Sequence, residues 1–404
     1  MNTIEDRLRD AYRAAAETVQ PETIRDLPSQ ATRPARRRAR SRRTRALIPL
    51  AAAAAVAAVV TGLAVAASVL GAGSRQPGGT SPLGPGVPRF HVEALKIDPL
   101  RVYDTATGQV VGTIQPPKGT LFDGQVVALA GDRTFFTAAS PGSVRTDLGP
   151  CITRLYEFQL NDAGQPGPLI PLHITVPGKP DVSNSLSVMP DGRMIAYATD
   201  LGCRPIAGSW LEIGVINLAT RQVRSWTLRQ RTSFSVIYSV ALSADGRQLV
   251  FSQGSFPPTG PSTKVARILP TSAPAGSLDQ RSTVVSPSAD WAAFSADGRS
   301  LYACSKPMLG VLAGGRTTGS VTYYIDSIAS GRQQVIASWP PQQYPICGAS
   351  LDTSGRYLLI QLAKYQPEPN RLVLVDLRTG QLRNLRHGGP LPGLYGGISE
   401  SIAW

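Results

Sequence analysis

Apolar and polar residues alternate in short runs through most of the chain, and one such pattern recurs along it. In its first clear copy, Leu186 and Val188 precede a tight turn, and Ile195 and Tyr197 follow it at the same two-residue spacing. Clear copies turn at Pro190–Arg193, Ala244–Arg247, Ala296–Arg299 and Thr353–Arg356, and a degenerate copy is Ala130–Arg133. Period-two alternation around a glycine that tolerates positive φ predicts a β-hairpin.

A second hairpin pattern alternates with the first, and its turns resemble Thr-Gly. It occurs at Val102–Gln109, Ile216–Gln222, Ile325–Arg332 and Val375–Gln381, with a longer relative at Leu155–Gly164, and residues 263–285 fill the remaining place. One pair of hairpins every 52–60 residues is typical of a four-stranded propeller blade.

The number of hairpins predicts six blades, although seven stay possible. The first pattern gives five complete hairpins and the second gives six, because no inner hairpin precedes residues 101–114. The missing strand is available at Ile398–Trp404, where it would remove two exposed sheet edges. The sequence therefore predicts an all-β domain over residues 90–404, a six-bladed β-propeller closed by a C-terminal strand.

The residues before this domain predict a membrane anchor. Leu47–Leu70 contains no charged residue over 24 positions, which is long enough for a helix to cross a bilayer. Only Arg75 follows this run closely, whereas eight arginines precede it: Arg33, Arg36, Arg37, Arg38, Arg40, Arg42, Arg43 and Arg45. The positive-inside rule then places the N-terminus in the cytoplasm and the propeller outside the cell membrane.

The anchor divides the N-terminal region into three parts. Residues 1–46 form a basic cytoplasmic tail with a short amphipathic helix, residues 47–70 form the transmembrane helix, and the Gly- and Pro-rich residues 71–89 form a linker. A cleaved signal peptide is the alternative, because the apolar run is Ala-rich and Ala64–Ala66 looks like a cleavage site.

Net charge is +14, and such a basic protein could bind nucleic acid. The densest arginine cluster, however, lies against the apolar run, so the charge favours a membrane partner and no nucleic acid.

The repeats resemble those of TolB-type and WD-repeat-like propellers, although the Gly-His and Trp-Asp dipeptides of true WD repeats are absent. With its tail, arginine run and linker, the chain resembles membrane-anchored propeller proteins of actinobacteria. The resemblance implies the fold and leaves the function open, since propellers include both binding proteins and enzymes.

The four cysteines are Cys151, Cys203, Cys304 and Cys347, and their spacing fits no zinc module. Outside the cytoplasm, disulfides are expected. Three connectivities are possible, and the blade assignment favours Cys151–Cys203 and Cys304–Cys347, each joining neighbouring blades. Free thiols in the core are the alternative.

No catalytic motif, metal-ligand spacing or cofactor-binding loop occurs in the sequence. The histidines, which we expect at the surface or at strand edges rather than on a metal, are His91, His173 and His387. The turn aspartates, which we expect to accept hydrogen bonds from their own backbone rather than to bind calcium, are Asp191, Asp245 and Asp297. The arginines that follow, which we expect to brace neighbouring hairpins, are Arg193, Arg247, Arg299 and Arg356.

The leading hypothesis for function is a non-enzymatic binding or sensing module that holds a protein or peptide at a propeller face. The alternative is a propeller hydrolase or lyase with its active site at the central channel, because residues that converge from different blades leave no local motif.

Overall fold

The computed structural model describes residues 83–84, 86–95, 98–142, 151–180, 184–202, 210–229, 234–257, 263–305, 321–339, 344–363, 371–385 and 400–404. The predicted cytoplasmic tail and transmembrane helix lie outside these residues. Within the described ranges, no helix has the length and apolar character needed to span a membrane.

The described chain is almost entirely β-strand, with one short helix. The elements are β1 Phe90–Leu95, β2 Leu100–Asp104, β3 Val110–Ile114, β4 Thr120–Ala128, β5 Thr134–Pro141, β6 Ile152–Gln159, β7 Ile170–Pro177, β8 Leu186–Val188, β9 Met194–Asp200, β10 Trp210–Asn217, β11 Val223–Arg229, β12 Phe234–Leu242, β13 Gln248–Phe256, β14 Thr263–Pro270, β15 Gly276–Ser277, α1 Leu278–Arg281, β16 Thr283–Pro287, β17 Trp291–Phe294, β18 Ser300–Ser305, β19 Val321–Ser327, β20 Gln333–Trp339, β21 Tyr344–Leu351, β22 Tyr357–Ala363, β23 Arg371–Asp376, β24 Gln381–Leu385 and β25 Glu400–Ala403.

These strands form six separate sheets, which are the six blades of a propeller. From the inner to the outer strand, they are β25-β1-β2-β3, β4-β5-β6-β7, β8-β9-β10-β11, β12-β13-β14-β16, β17-β18-β19-β20 and β21-β22-β23-β24. We number them blades 1 to 6 in this order. The predicted all-β, six-bladed propeller is confirmed.

Blade 1 is closed by the strand that the sequence predicted. Strand β25 pairs antiparallel with β1, with Val92 opposite Ala403 and Leu95 opposite Glu400. The inner strand of the first blade therefore comes from the other end of the sequence.

Blade 4 contains an insertion that the repeat pattern did not predict. Strands β14 and β16 fill the expected place, but β15 and α1 lie between them and reach blade 3. Strand β15 pairs parallel with β11, and the Nε1 of Trp226 donates to the carbonyl of Pro274 at 3.0 Å. Leu278 is fully buried beside Trp226 in the same cluster. The insertion covers part of the outer edge of blade 3.

The hydrophobic core is divided among the seams between blades. Each of six buried clusters contains residues from two neighbouring blades. The cluster between blades 6 and 1 includes Leu359, Leu374 and Trp404, and Leu83 and Val87 pack against it. The described end of the predicted linker therefore packs onto the propeller.

Polar side chains join the inner strands across several seams. The bonds run from Val126 N to Ser401 Oγ (2.8 Å), from Ser185 N to Gln125 Oε1 (2.7 Å), from Leu242 N to Ser187 Oγ (3.0 Å) and from Ala292 N to Ser239 Oγ (3.1 Å). Inner strands carry unpaired backbone donors toward the next blade, so these bonds satisfy groups that burial would otherwise leave unpaired.

Candidate functional site

The turn aspartates hold the shape of the inner hairpins. The carboxylates of Asp191, Asp245 and Asp297 each accept a hydrogen bond from the backbone N–H two residues later, at 3.0–3.1 Å. The pKa of each carboxyl group is lowered, at Asp245 and Asp297 mainly by a serine hydroxyl and then by this backbone bond, and at Asp191 mainly by the backbone bond; the nearby arginines lower it further. The aspartates have the structural role that the sequence predicted.

An arginine directly precedes the second strand of every blade, and its carbonyl oxygen accepts a hydrogen bond from the neighbouring hairpin. The carbonyl oxygens of Arg89, Arg133, Arg193, Arg247, Arg299 and Arg356 accept from the backbone N–H of Thr105, Leu160, Leu218, Thr271, Ile328 and Leu377, respectively. Arg89 was not recognised as a member of the sequence repeat. The repeat pattern requires an inner strand just before the arginine, and the inner strand of blade 1 is β25, at the other end of the sequence. We call the side of the propeller that carries these hairpin turns the turn face.

The arginine side chains make short-range contacts within the fold. The Arg356 guanidinium lies 3.1 Å from the carboxylate of Asp376, on the neighbouring hairpin of its blade. Arg193 and Arg247 instead pair with the aspartates of their own turns. Arg356 therefore braces two neighbouring hairpins, as the sequence predicted. Arg193 and Arg247 form ion pairs within their own turns instead.

Cys304 and Cys347 form a disulfide in the structure, with their Cα atoms 5.6 Å apart. The bridge joins β18 of blade 5 to β21 of blade 6, as the predicted pairing requires. Cys151 is also disulfide-bonded, and its Sγ lies 3.2 Å from the carbonyl oxygen of Leu201. Cys203 lies outside the described residues, so its pairing with Cys151 stays a prediction.

The expectation of a surface position for His91 is wrong. Strand β1 is the second strand of blade 1, so neighbouring blades cover both of its faces, and His91 is fully buried. Its ring stacks on Tyr103 at 5.1 Å, and its Nδ1 lies 3.2 Å from the hydroxyl of Thr105. Burial, together with the charge of Glu93, raises the pKa of Tyr103 to about 12. His173 is exposed, and His387 lies outside the described residues.

A buried ion pair between blades 4 and 5 left no motif in the sequence. The Nζ of Lys264 lies 2.5 Å from the carboxylate of Asp290, and both side chains are largely buried. The Lys264 ammonium group also lies 5.7 Å from the ring centre of Tyr238. Burial and the charge of Asp290 raise the pKa of the Tyr238 hydroxyl above its ordinary value. The two charges offset each other, and the phenol stays protonated.

A cavity of about 410 Å³ occupies the centre of the ring. Every inner strand contributes to its wall, and at the turn face it extends to the turn residues Pro190, Ala244, Ala296 and Thr353. Asp352 is the single ionisable side chain among the described residues that line it. The Asp352 carboxylate accepts hydrogen bonds from Tyr357 N at 2.6 Å and from the hydroxyl of Ser354. The arrangement suits the binding of a mainly apolar group.

No group of three or more His, Cys, Asp or Glu side chains in the part of the chain that the structure describes is arranged to hold a metal ion.

No protein-family model matches the chain, and no curated protein matches it. Among solved structures, the chain is similar to TolB from Acinetobacter baumannii, with 14% identity and a TM-score of 0.47 over 79% of this chain and 67% of that one. It is similar to the periplasmic gluconolactonase of Pseudomonas aeruginosa, with 17% identity and a TM-score of 0.42 over 74% and 82% of the two chains. For an oligogalacturonate lyase from Vibrio parahaemolyticus, the identity is 10% and the TM-score 0.40 over 66% and 65%. Similarity at this level carries no information about activity.

Proposed function

We propose that the chain is a single-pass membrane protein whose extracytoplasmic propeller is a non-enzymatic module that binds a protein or peptide. The anchor rests on the uncharged run at residues 47–70 and on the arginines before it. The binding role rests on one exposed aromatic residue of the propeller.

That residue is Trp210, at the start of β10. Of the five tryptophans, it is the one with a largely exposed side chain, at 41%, whereas the other four are at most 8% exposed. The guanidinium of Arg229, its partner across the strand pair, lies 5.2 Å from the centre of the ring. Tryptophan and arginine are enriched at the centres of protein interfaces, because both bury a large area with a polar group at the end. Trp210 and Arg229 therefore favour a protein or peptide ligand.

Trp210 lies on the face opposite the turn face. It begins the third strand of blade 3, and Arg229 ends the fourth strand of that blade. We call this face the loop face, and we place the partner there.

The alternative is a propeller hydrolase or lyase, and Lys264, Asp290 and Tyr238 are the buried polar groups closest to such chemistry. Lys264 and Asp290 neutralise each other at 2.5 Å, and the raised pKa of Tyr238 disfavours a phenolate. An enzyme needs a base or nucleophile that is available to the substrate. These three groups therefore favour a structural role and the binding hypothesis.

The test is chemical cross-linking of the full chain in intact cells, followed by purification and identification of the adducts. We expect a discrete adduct with the unmodified chain and a strong loss of it with Trp210→Ala, because truncation of an interface tryptophan typically costs about 2 kcal/mol or more of binding energy. The matched control is Val335→Ala, which truncates a 62% exposed side chain on the outer strand of blade 5 and should leave the adduct unchanged.

Either of two results would contradict the proposal. One is the absence of any discrete adduct with the unmodified chain. The other is an adduct that survives Trp210→Ala at full yield, which would move the partner away from the loop face of blade 3.

A further inference from the structure

We propose that the partner of the loop face presents an acidic segment, and that a carboxylate of this segment binds the guanidinium of Arg229 beside Trp210. The inference rests on the proposed function and adds the chemistry of the partner. It depends on the position of Arg229 and on the distribution of charged side chains over the two faces of the propeller.

The guanidinium of Arg229 is held in place and is accessible to a ligand. Arg229 lies opposite Trp210 across the β10–β11 pair, and its guanidinium is 5.2 Å from the centre of the ring. Such a cation–π contact orients the planar group and leaves the N–H donors at its edge available. Arg229 is exposed, and no carboxylate of the described residues lies within ion-pair distance of it. A carboxylate can accept from two of these donors at once.

The exposed and unpaired charges of the loop face are basic. Lys118 lies in the connection between blades 1 and 2, and Arg154 lies near the start of the third strand of blade 2. Both side chains are exposed, and neither forms an ion pair with a described residue. Together with Arg229, they give a partner three basic groups that it can reach.

The acidic side chains in the loop-face half of the blades are withdrawn from solvent. Those that are buried are Glu93, Asp123, Asp200, Glu212 and Asp290. Asp290 is paired with Lys264 at 2.5 Å. Glu212 accepts from the hydroxyl of Tyr197 at 2.6 Å. Asp98, in the connection between β1 and β2, is half-buried. These carboxylates offer little repulsion to an acidic partner at the surface.

The insertion beside β11 keeps this balance. Its acidic residue, Asp279, lies 3.8 Å from the guanidinium of Arg267, and the insertion also carries Arg281, which is exposed. The insertion therefore adds no unpaired acidic group to the edge of blade 3.

The turn face, in contrast, carries exposed charges of both signs. Asp162 is fully exposed, and its carboxylate lies 3.3 Å from the guanidinium of Arg133. The exposed carboxylates of Asp191 and Asp245 pair with the arginines of their own turns. An acidic segment would meet these carboxylates at the turn face, so electrostatic complementarity directs it to the loop face.

The small number of basic groups favours a peptide over a lipid surface. Surfaces that bind anionic lipids usually concentrate about four to eight lysines and arginines. The described part of the loop face has three exposed ones, Lys118, Arg154 and Arg229, on separate elements. Tryptophan beside arginine is, in addition, the combination that is enriched at the centres of protein interfaces. We therefore assign the acidic segment to a protein.

The test uses a photo-reactive peptide of eight glutamates and one benzoylphenylalanine, and a reference peptide in which glutamines replace the glutamates. Each peptide is irradiated with the full chain in phosphatidylcholine nanodiscs, and peptide mapping locates the adducts. Mapping separates adducts on the propeller from any at the arginines of residues 33–45. We expect the glutamate peptide to label residues 210–229 at a concentration at least tenfold lower than the glutamine peptide requires.

Two variants test the contacts. Arg229→Glu replaces attraction by repulsion and should weaken labelling of residues 210–229 at least tenfold. Trp210→Ala removes the ring that orients the guanidinium and should also weaken labelling. The matched control is Arg332→Glu, the same change of charge at an exposed arginine in a turn of blade 5, which should leave labelling unchanged. Melting temperatures, which substitutions at exposed positions should hardly change, establish that each variant is folded.

The same variants in intact cells separate this inference from the proposed function. Loss of the cellular adduct with both Trp210→Ala and Arg229→Glu would support an acidic partner. Loss with Trp210→Ala alone would leave the binding role intact and overturn the acidic segment. The absence of any cellular adduct would contradict the proposed function itself.

Two results with the peptides would also overturn the proposal. One is equal labelling of residues 210–229 by the glutamate and glutamine peptides, or no labelling there by either. The other is displacement of the glutamate peptide by phosphatidylglycerol vesicles at a lower concentration of charge than free octaglutamate requires, which would assign the loop face to a lipid surface.

Discussion

At the scale of single residues, Asp132 differs from the other turn aspartates. It follows Gly131, whereas Asp191 and its counterparts precede their glycine, and its φ is +53°. Its Oδ1 is buried with no hydrogen-bond partner in the described part of the chain. Burial, with a further contribution from the charge of Asp352, raises the pKa of Asp132 to about 6. One shifted position in the repeat thus changes a stabilising carboxylate into an unfavourable one.

This shift predicts how stability depends on pH. Because the folded-state pKa lies above the ordinary value, the folded chain holds the proton more tightly than the unfolded chain. The contribution of Asp132 is therefore fully present below about pH 4 and is lost as pH rises through about 6. Above that pH, Asp132→Asn should raise the free energy of unfolding by about 1–2 kcal/mol, a value reduced for partial exposure.

Thermal unfolding at pH 4.0 and pH 7.5 measures the effect. Asp132→Asn should melt higher than the unmodified chain at pH 7.5 and much less so at pH 4.0. Asp245→Asn is the matched control, since the lowered pKa of that carboxyl group predicts a loss of stability at pH 7.5. An equal effect of Asp132→Asn at both pH values would contradict the electrostatic explanation.

At the scale of secondary-structure elements, β25 contributes more than four paired residues. Trp404 is fully buried between blades 6 and 1, and the Ser401 hydroxyl accepts from Val126 N in blade 2. The strand therefore contacts the first blade, the second blade and the last one. Its loss would expose the edge of β1 and the apolar surface of blade 6 that Trp404 covers.

Deletion of residues 398–404 should make the chain aggregate or melt at a much lower temperature. Removal of a buried tryptophan alone costs about 3–5 kcal/mol, against a typical stability of about 5–15 kcal/mol. Ser401→Ala, which removes one buried hydrogen bond, should cost only about 1 kcal/mol. Size-exclusion chromatography and thermal unfolding of the three chains distinguish these results, and an unchanged melting temperature after the deletion would refute closure by this strand.

The sequence predicted the strands where local patterns define them. Period-two alternation around an Asp-Gly turn placed the inner hairpins, and the surplus outer hairpin at residues 101–114 indicated closure by β25. It did not predict β15, because a two-residue pairing with β11 has no period of its own. Nor did it predict the burial of His91, because the covering of β1 by two blades depends on how the ring closes.

At the scale of the whole molecule, local sequence patterns could not predict the central cavity or the buried ion pair. The cavity wall takes two or three residues from each of six distant strands, and Lys264 meets Asp290 across 26 positions of the chain. Neither arrangement has a spacing that a motif could express. Blade number was predictable because it is a count of repeats, whereas the cavity depends on side-chain packing at the centre of the ring.

The proposed membrane topology gives a prediction for the whole chain. The arginines before residue 47 should keep residues 1–45 in the cytoplasm, and the Cys304–Cys347 bridge favours an oxidising compartment for the propeller. Protease added to intact cells should remove the chain beyond Gly71 and leave an N-terminal tag on residues 1–45 protected. Permeabilised cells, in which both ends should be digested, are the control. Full protection of the propeller in intact cells would contradict the topology.

Closure of blade 1 by β25 also has a consequence for the order of folding. The hydrogen bond from Val126 to Ser401 joins residues 275 positions apart, so the entropy of closing this long loop opposes its formation. Apart from the β15 insertion in blade 4, blades 2 to 6 are each built from strands that follow one another in the chain, and such local contacts form faster than distant ones. We therefore expect ring closure to be a late and slow step. Until it occurs, the open edge of β1 and the uncovered apolar surface of blade 6 make the folding intermediate the species most prone to aggregation.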